Sequence, residues 1–288
     1  MKNIKILFVI IGIALLASCE GFLDVKPSQS AESSTSITNA NDAKVIMNGV
    51  MRQMASYRYY GRNFILYGDA KGGDFAIRSQ GRGYDGLYTF NHSQTTGNYG
   101  DFWAHMYNLI LQVNTLIQNI DVMEANGQGS TALSEYKGQA YTTRALIYFD
   151  LVRLYGKPYN MDKNSLGVPL ILEPLDAMEQ RTRNTVDAVY QQIVADLKAG
   201  ESLLSKSKRN GQLNYYGNLA IQGRVYLHMD NFSEALRVAE LIIGSKVYSL
   251  YLTPSAWTNS WQNEFGTESI FELGVYENEA DNGTGSLG

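Results

Sequence analysis

From Trp103 to Ile120 the apolar residues Trp103, Met106, Ile110, Val113, Ile117 and Ile120 recur at spacings of three, four, three, four and three. A strand repeats every two residues, so this period places the six side chains on one stripe of an α-helix. A helix with one apolar stripe has to bury it against another element. The next segment, Leu133 to Tyr155, carries two stripes, one through Tyr136, Ala140 and Ile147 and another through Tyr141, Ala145, Tyr148, Val152 and Tyr155. It is predicted to be a helix covered on two sides and ended by Gly156 and Pro158. Together the two segments require a fold of packed helices.

Other stretches fit the same plan. A first helix is predicted over Asn41 to Met54, with Val45, Val50 and Met54 among its apolar positions. Gly167 to Leu170 reads as an extended connector. Thr185 is a candidate N-cap, with Asp187 favourable in the first turn and Val186, Val189, Ile193 and Leu197 on the buried face of a helix ending near Leu204. Leu219, Gly223, Tyr226, Ala235 and Ala239 have the spacing of the small and aromatic positions of a tetratricopeptide repeat, with Asn231 and Phe232 in the turn. The helices between Trp103 and Tyr155 offer a second unit of this kind. By contrast, Tyr57 to Gly100 loses periodicity and reads as a long loop-rich insert with β-prone pieces such as Leu87 to Phe90. Ser269 to Leu273 is a β-prone tail. The fold class expected is therefore mainly α, with tetratricopeptide-like helical hairpins, a loop-rich insert and short β segments.

The amino terminus carries a different signal. Lys2 and Lys5 precede an apolar run from Ile6 to Leu16, the pattern of an export signal. That run is shorter than the roughly 20 residues a permanent span needs. Leu16, Ala17, Ser18 and Cys19 then resemble a bacterial lipobox, in which the cysteine is acylated and becomes the new terminus. The alternative, an ordinary signal peptide beside a chance cysteine, needs an export segment, two small residues and the only thiol of the chain to coincide. The expected organisation is a signal peptide at 1–18, a lipidated tether at 19–39 and a helical domain at 40–288. Acyl chains contribute about 0.8 kcal/mol per buried methylene, so a multiply acylated Cys19 anchors a protein without any transmembrane helix.

Composition narrows the function classes. Without Lys2 and Lys5 the chain has 22 basic against 28 acidic groups, which argues against nucleic-acid binding. With Cys19 lipidated, no thiol remains for a disulfide, a cysteine zinc site or a nucleophile. The distinctive excess is of tyrosine and glycine, at 20 and 27 residues, much of it between Tyr57 and Tyr107.

Catalytic and cofactor motifs fare poorly. Gly81, Gly83 and Gly86 satisfy G-x-G-x-x-G literally, but a β-prone stretch follows where a phosphate-binding helix should begin. Lys71 stands beside Gly72 and Gly73 without the Ser or Thr of a P-loop. His92, His105 and His228 are scattered, with no metal-binding spacing. Asp69, Asp74 and Asp85 could supply the paired carboxylates of a glycosidase, but loop aspartates more often stabilise turns. Neither a catalytic residue nor a cofactor or metal is expected.

A binding site needs less: flat aromatic faces to stack on sugars, and polar groups to bond their hydroxyls. Tyr84, Tyr88 and Tyr99 are the stacking candidates in the insert, with Asp74, Arg78, Asn91 and Asn98 as polar partners. Loops on a rigid scaffold are where recognition usually lies.

Several motifs resemble, in order, the amino-terminal half of SusD/RagB-type nutrient-uptake lipoproteins of Bacteroidetes. Phe22, Leu23 and Asp24 follow the lipobox; Phe102, Trp103, Tyr107 and Asn114 match an aromatic helix. Arg144, Ala145, Tyr148, Phe149, Leu151, Val152, Tyr155 and Gly156 match the strongest signature, followed by Gly167 to Leu170. Arg181, Thr185, Val189, Tyr190, Ile193, Asp196 and Leu197 match the next helix, and Glu268 to Glu272 a strand. The resemblance implies a tetratricopeptide-like scaffold on the outer membrane that binds a glycan or other nutrient. It also implies a partner, a SusC-type TonB-dependent β-barrel. The signature residues recur at core spacings, so their roles are expected to be structural. Two rivals are a tetratricopeptide scaffold that binds protein and a secreted glycosidase. The resemblance further leads to the expectation that a second stretch is missing, that no terminal helix seals the end, and that Leu241 and Ile242 lie on an uncovered face.

Overall fold

Two helices joined by a five-residue turn organise the fold, and both lie where the apolar stripes put them. The computed structural model of the chain describes residues 37–75, 85–91, 100–175 and 179–275. Along these run α1 (Ala40–Ala55), α2 (Asn63–Gly72), α3 (Asp85–Tyr88), α4 (Gly100–Ala125) and α5 (Thr131–Tyr155). They are followed by α6 (Tyr159–Asp162), α7 (Val186–Leu203), α8 (Tyr215–His228), α9 (Phe232–Ser245) and α10 (Pro254–Ser260). The described residues fall within one unit, Ile37–Gly288.

Helix α5 is the centre. It packs against α7, α4, α1 and α8, and Ile147 and Tyr148, one from each predicted stripe, are both fully buried. Its approach to α7 is set by glycine. A Cβ on Gly200 would lie 2.4 Å from Thr142 Oγ1 and 2.9 Å from the Gly138 carbonyl, and one on Gly138 would lie 2.9 Å from Leu203 Cβ. Backbones meet here with no room for a methyl group. Gly223, singled out from the repeat spacing, is less constrained: its Cβ would meet Val238 Cγ2 at 3.4 Å, an ordinary contact.

The helix boundaries have legible causes. The Thr185 hydroxyl accepts from Ala188 N at 3.2 Å, as expected of an N-cap. Val186, Val189, Ile193 and Leu197 are buried behind it. Asn39, Ser130, Asn214, Asn231 and Thr253 cap α1, α5, α8, α9 and α10 in the same way.

Five expectations need correction. Val45 is 69% exposed, because the buried stripe of α1 runs through Ala43, Met47, Val50 and Met54 and Val45 sits two residues off it. Phe232 begins α9 and does not form the turn, which is Met229 to Asn231. The insert, expected to be rich in loop with β-prone pieces, also contains α2, and Tyr59, Tyr67 and Ala70 belong to the core, with Asn63 buried as well. Its piece Leu87 to Phe90 is not β but starts within the single helical turn α3, which also holds Gly86. Finally, β structure among the described residues is limited to one bridge, Leu166 to Thr185. Ser269 to Leu273 forms no strand, since a lone strand has no ladder to satisfy its backbone. Helix α10 was not anticipated, although Thr253 and Pro254 are a recognisable cap and first-turn pair.

Candidate functional site

The insert starts firmly. Tyr59 and Tyr60 stack with centroids 4.2 Å apart, and both hydroxyls donate to Asp150 Oδ2 on α5, that of Tyr59 at 2.6 Å. Arg153 completes the pairing on Asp150 Oδ1. Burial first, and then the Asp150 charge, pushes both phenols well above their usual range, so they remain neutral donors. Helix α2 is thereby fixed to the core. It ends at Gly73, whose φ of 83° is a left-handed cap that glycine adopts without strain.

Beyond this anchor the surface becomes aromatic. Asp74 folds back toward α2, its amide donating to the Asp69 carbonyl at 3.0 Å. Helix α3 packs on α2 with Leu87 buried, which leaves Tyr88 and Asn91 exposed. Of the predicted site residues the structure therefore describes Asp74, Tyr88 and Asn91, all at the surface: Tyr88 ends α3, and Asp74 and Asn91 follow the ends of α2 and α3. Arg78, Tyr84, Asn98, Tyr99 and Cys19 lie outside the described residues. Two further exposed aromatics, Phe75 and Phe90, stand beside the predicted ones and were passed over. The available signal was aromatic residues in a stretch without periodicity.

The signature residues have structural work. The Arg144 guanidinium donates to both oxygens of Asp196, at 2.8 and 2.7 Å, and to Asn114 Oδ1 at 2.8 Å. Asn114 donates in turn to the Ile171 carbonyl at 2.9 Å. Tyr107 donates to the Pro169 carbonyl, and Tyr148 both donates to Ile171 O and accepts from Ile171 N. Residues from α4 and α5 thus hold the connector between α6 and α7, and Asp196 of α7 fixes Arg144, which itself donates to the Leu172 carbonyl. Burial pushes the Asp196 carboxyl above its usual value, and Arg144 offsets part of that.

The remaining polar candidates are dispersed. His105 Nε2 lies 3.0 Å from the Gln53 carbonyl on α1, while His228 stacks edge-on against Phe149. Burial lowers the pKa of both, and Arg153 and Arg224 lower that of His228 further. Among the described residues, no three His, Cys, Asp or Glu side chains gather as metal ligands. No described helix is long and apolar enough to cross a membrane.

These features define a helical-repeat protein with an aromatic surface segment set on a rigid core. A family model described as "Starch-binding associating with outer membrane" matches residues 21–227, and the chain belongs to this SusD-like family. Similar curated proteins include SusD-like protein P38 of Formosa agariphila, 23% identical over 91% of this chain and 50% of that protein. A SusD-like protein of Bacteroides ovatus is 23% identical over 79% of this chain and 39% of its own length. The chain spans about half the length of the curated relatives it matches. Among solved structures, a SusD superfamily protein from Bacteroides thetaiotaomicron superposes with a TM-score of 0.76 at 32% identity, covering 83% of this chain and 53% of that one. A structure described as a laminarin binding SusD-like protein has a TM-score of 0.64 at 23% identity, over 81% and 50% of the two chains.

Proposed function

We propose that this protein captures a glycan or related nutrient at the cell surface and passes it to a SusC-like TonB-dependent transporter in the outer membrane. The observation that carries this reading is the family match over residues 21–227, whose description names starch binding and the outer membrane. The name of the laminarin-binding structural neighbour supports a polysaccharide as ligand. We assign the ligand site to the insert, in which Asp74, Tyr88 and Asn91 are exposed, and include Arg78, Tyr84, Asn98 and Tyr99 for their residue types. Binding, and not catalysis, is the role: the insert supplies stacking faces and hydroxyl partners. A lipid on Cys19 holds the protein at the membrane, with residues 20–36 as a tether that ends where Ile37 enters the core and Asn39 caps α1.

Two measurements test this. Cys19→Ala should move the protein from the membrane to the soluble fraction of fractionated cells, and unchanged retention would refute the anchor. In affinity electrophoresis against neutral polysaccharides, the detergent-extracted chain should be retarded without releasing products. A Tyr84→Ala, Tyr88→Ala, Tyr99→Ala variant that folds yet binds normally would exclude the insert.

A further inference from the structure

Helix α10 carries two tryptophans four residues apart, Trp257 within it and Trp261 at its C-cap, a spacing that puts both rings on one side. Their centroids are 5.6 Å apart and their planes meet at 83°, so they form an open corner. They are 51% and 77% exposed. With Tyr251, Asn263, Glu268 and Glu272 they line a groove of about 300 Å³.

The groove is built on a fixed loop. Glu272 Oε2 accepts from Phe265 N at 2.7 Å, and Glu268 Oε1 accepts from Tyr251 N. Lys208 reaches across to donate to the carbonyls of Phe265 and Gly266 at 3.1 and 2.6 Å. Gly266 packs closely on the ring of Tyr251: a Cβ there would sit 2.1 Å from the Tyr251 hydroxyl oxygen. The tryptophans are therefore displayed by a constrained segment and not left over at a frayed one.

We propose that this groove is a second ligand subsite, taking one unit of a neutral oligosaccharide. A pyranose has an apolar C–H face and a rim of hydroxyls, and it needs a flat aromatic surface and acceptors side by side. The tryptophan corner offers the first. Each glutamate commits one oxygen to the backbone, leaving its other oxygen as an acceptor for a hydroxyl. The same two carboxylates repel uronate or sulfated sugars, and the Lys208 ammonium is already engaged. A volume of about 300 Å³ is at the lower end of ligand pockets, which suits a single sugar unit. The groove lies beyond the residues 21–227 that the family model matches. The assignment rests on the carbohydrate-binding reading above but concerns a different surface.

The test uses the full chain in detergent, with affinity electrophoresis and calorimetric titration against neutral glucans, mannans and xylans and against pectate. Trp257→Ala/Trp261→Ala should weaken binding of a neutral polysaccharide roughly tenfold, and Trp257→Phe/Trp261→Phe should stay within about threefold of wild type. Both variants should unfold at the wild-type temperature, since the rings are exposed. Loss in the tryptophan variant with retention in the insert triple variant supports the groove and moves the primary site to it. Equal binding by wild type and Trp257→Ala/Trp261→Ala overturns the subsite while leaving the insert reading intact. Equal binding of pectate overturns the neutral-sugar assignment. A change in oligomeric state with unchanged glycan binding would make this face a contact between copies and overturn the proposal. Wild type that binds none of the polysaccharides overturns both readings.

Discussion

Helix α9 is the more apolar of the pair α5 and α9 by sequence, yet α5 is buried almost continuously from Gly138 to Val152 whereas α9 buries only Ala235 and Val238. Helix α5 has neighbours on several sides: α1, α4, α7 and α8. Helix α9 packs chiefly on α8, and Phe232, Leu236, Leu241 and Ile243 are exposed, Ile243 at 75%. In a helical-repeat stack each unit is covered by the next, so burial is set by neighbours as much as by a helix's own pattern. The same difference separates the polar groups. Around α5 they are inaccessible, paired in the case of Arg144, Asp196 and Asn114 and without a partner among the described residues in the case of Gln139 and Thr143, while near α9 they stay at the surface, as in the Arg237 to Glu234 pair.

The contrast can be tested by substitution. The largest effect is expected at Arg144→Ala, which leaves Asp196 buried without its partner and should cost about 3–5 kcal/mol in urea unfolding. A loss under about 1 kcal/mol would mean that the pair is not a buried hinge of the core. Next, Gly200→Ala forces a methyl group into the Thr142 and Gly138 contact and should cost about 1–3 kcal/mol. Gly223→Ala, facing Val238 at 3.4 Å, should be neutral or stabilising by up to about 1 kcal/mol through helix propensity. Equal effects at the two glycines would contradict the closer packing of α5 on α7. Thr185→Ala should cost about 1 kcal/mol by removing the cap of α7, measurable as a lower Tm. Smallest of all, Leu236→Ser with Ile243→Ser should change stability by no more than about 0.5 kcal/mol per site, while reducing self-association in light scattering. A large loss of stability there would show that α9 is as deeply embedded as α5.

Much of this was legible beforehand because helix periodicity and capping are local properties. Trp103 to Ile120 announced α4, and Thr185 announced the start of α7, with nothing needed from the rest of the chain. The signature positions Tyr107, Asn114, Arg144, Tyr148 and Asp196 were read as structural, and they do bond the connector and one another. Other features needed partners distant in sequence. Tyr59 and Tyr60 lie in a stretch without periodicity, and partners met only after folding, Asp150 about ninety residues later and Phe102 beside Tyr59, tie them to the core. Gly138 and Gly200 look unremarkable in sequence, since their importance lies in two backbones that meet only after folding.

The candidate sites divide along the same line. Residue types suited to sugar recognition were visible in the insert, and Tyr88 and Asn91 are at the surface as such a role requires. The tryptophan groove was not visible, because its rings, the two glutamates and Lys208 come from separated segments that fold onto one another. Sequence by itself determined where helices form, how they begin and which residue types are available, because those depend on spacings of a few residues. Tertiary structure alone decided that Tyr59 is core, that Leu236 meets water and that Trp257 and Trp261 overlook two carboxylates, because exposure is a property of what packs alongside.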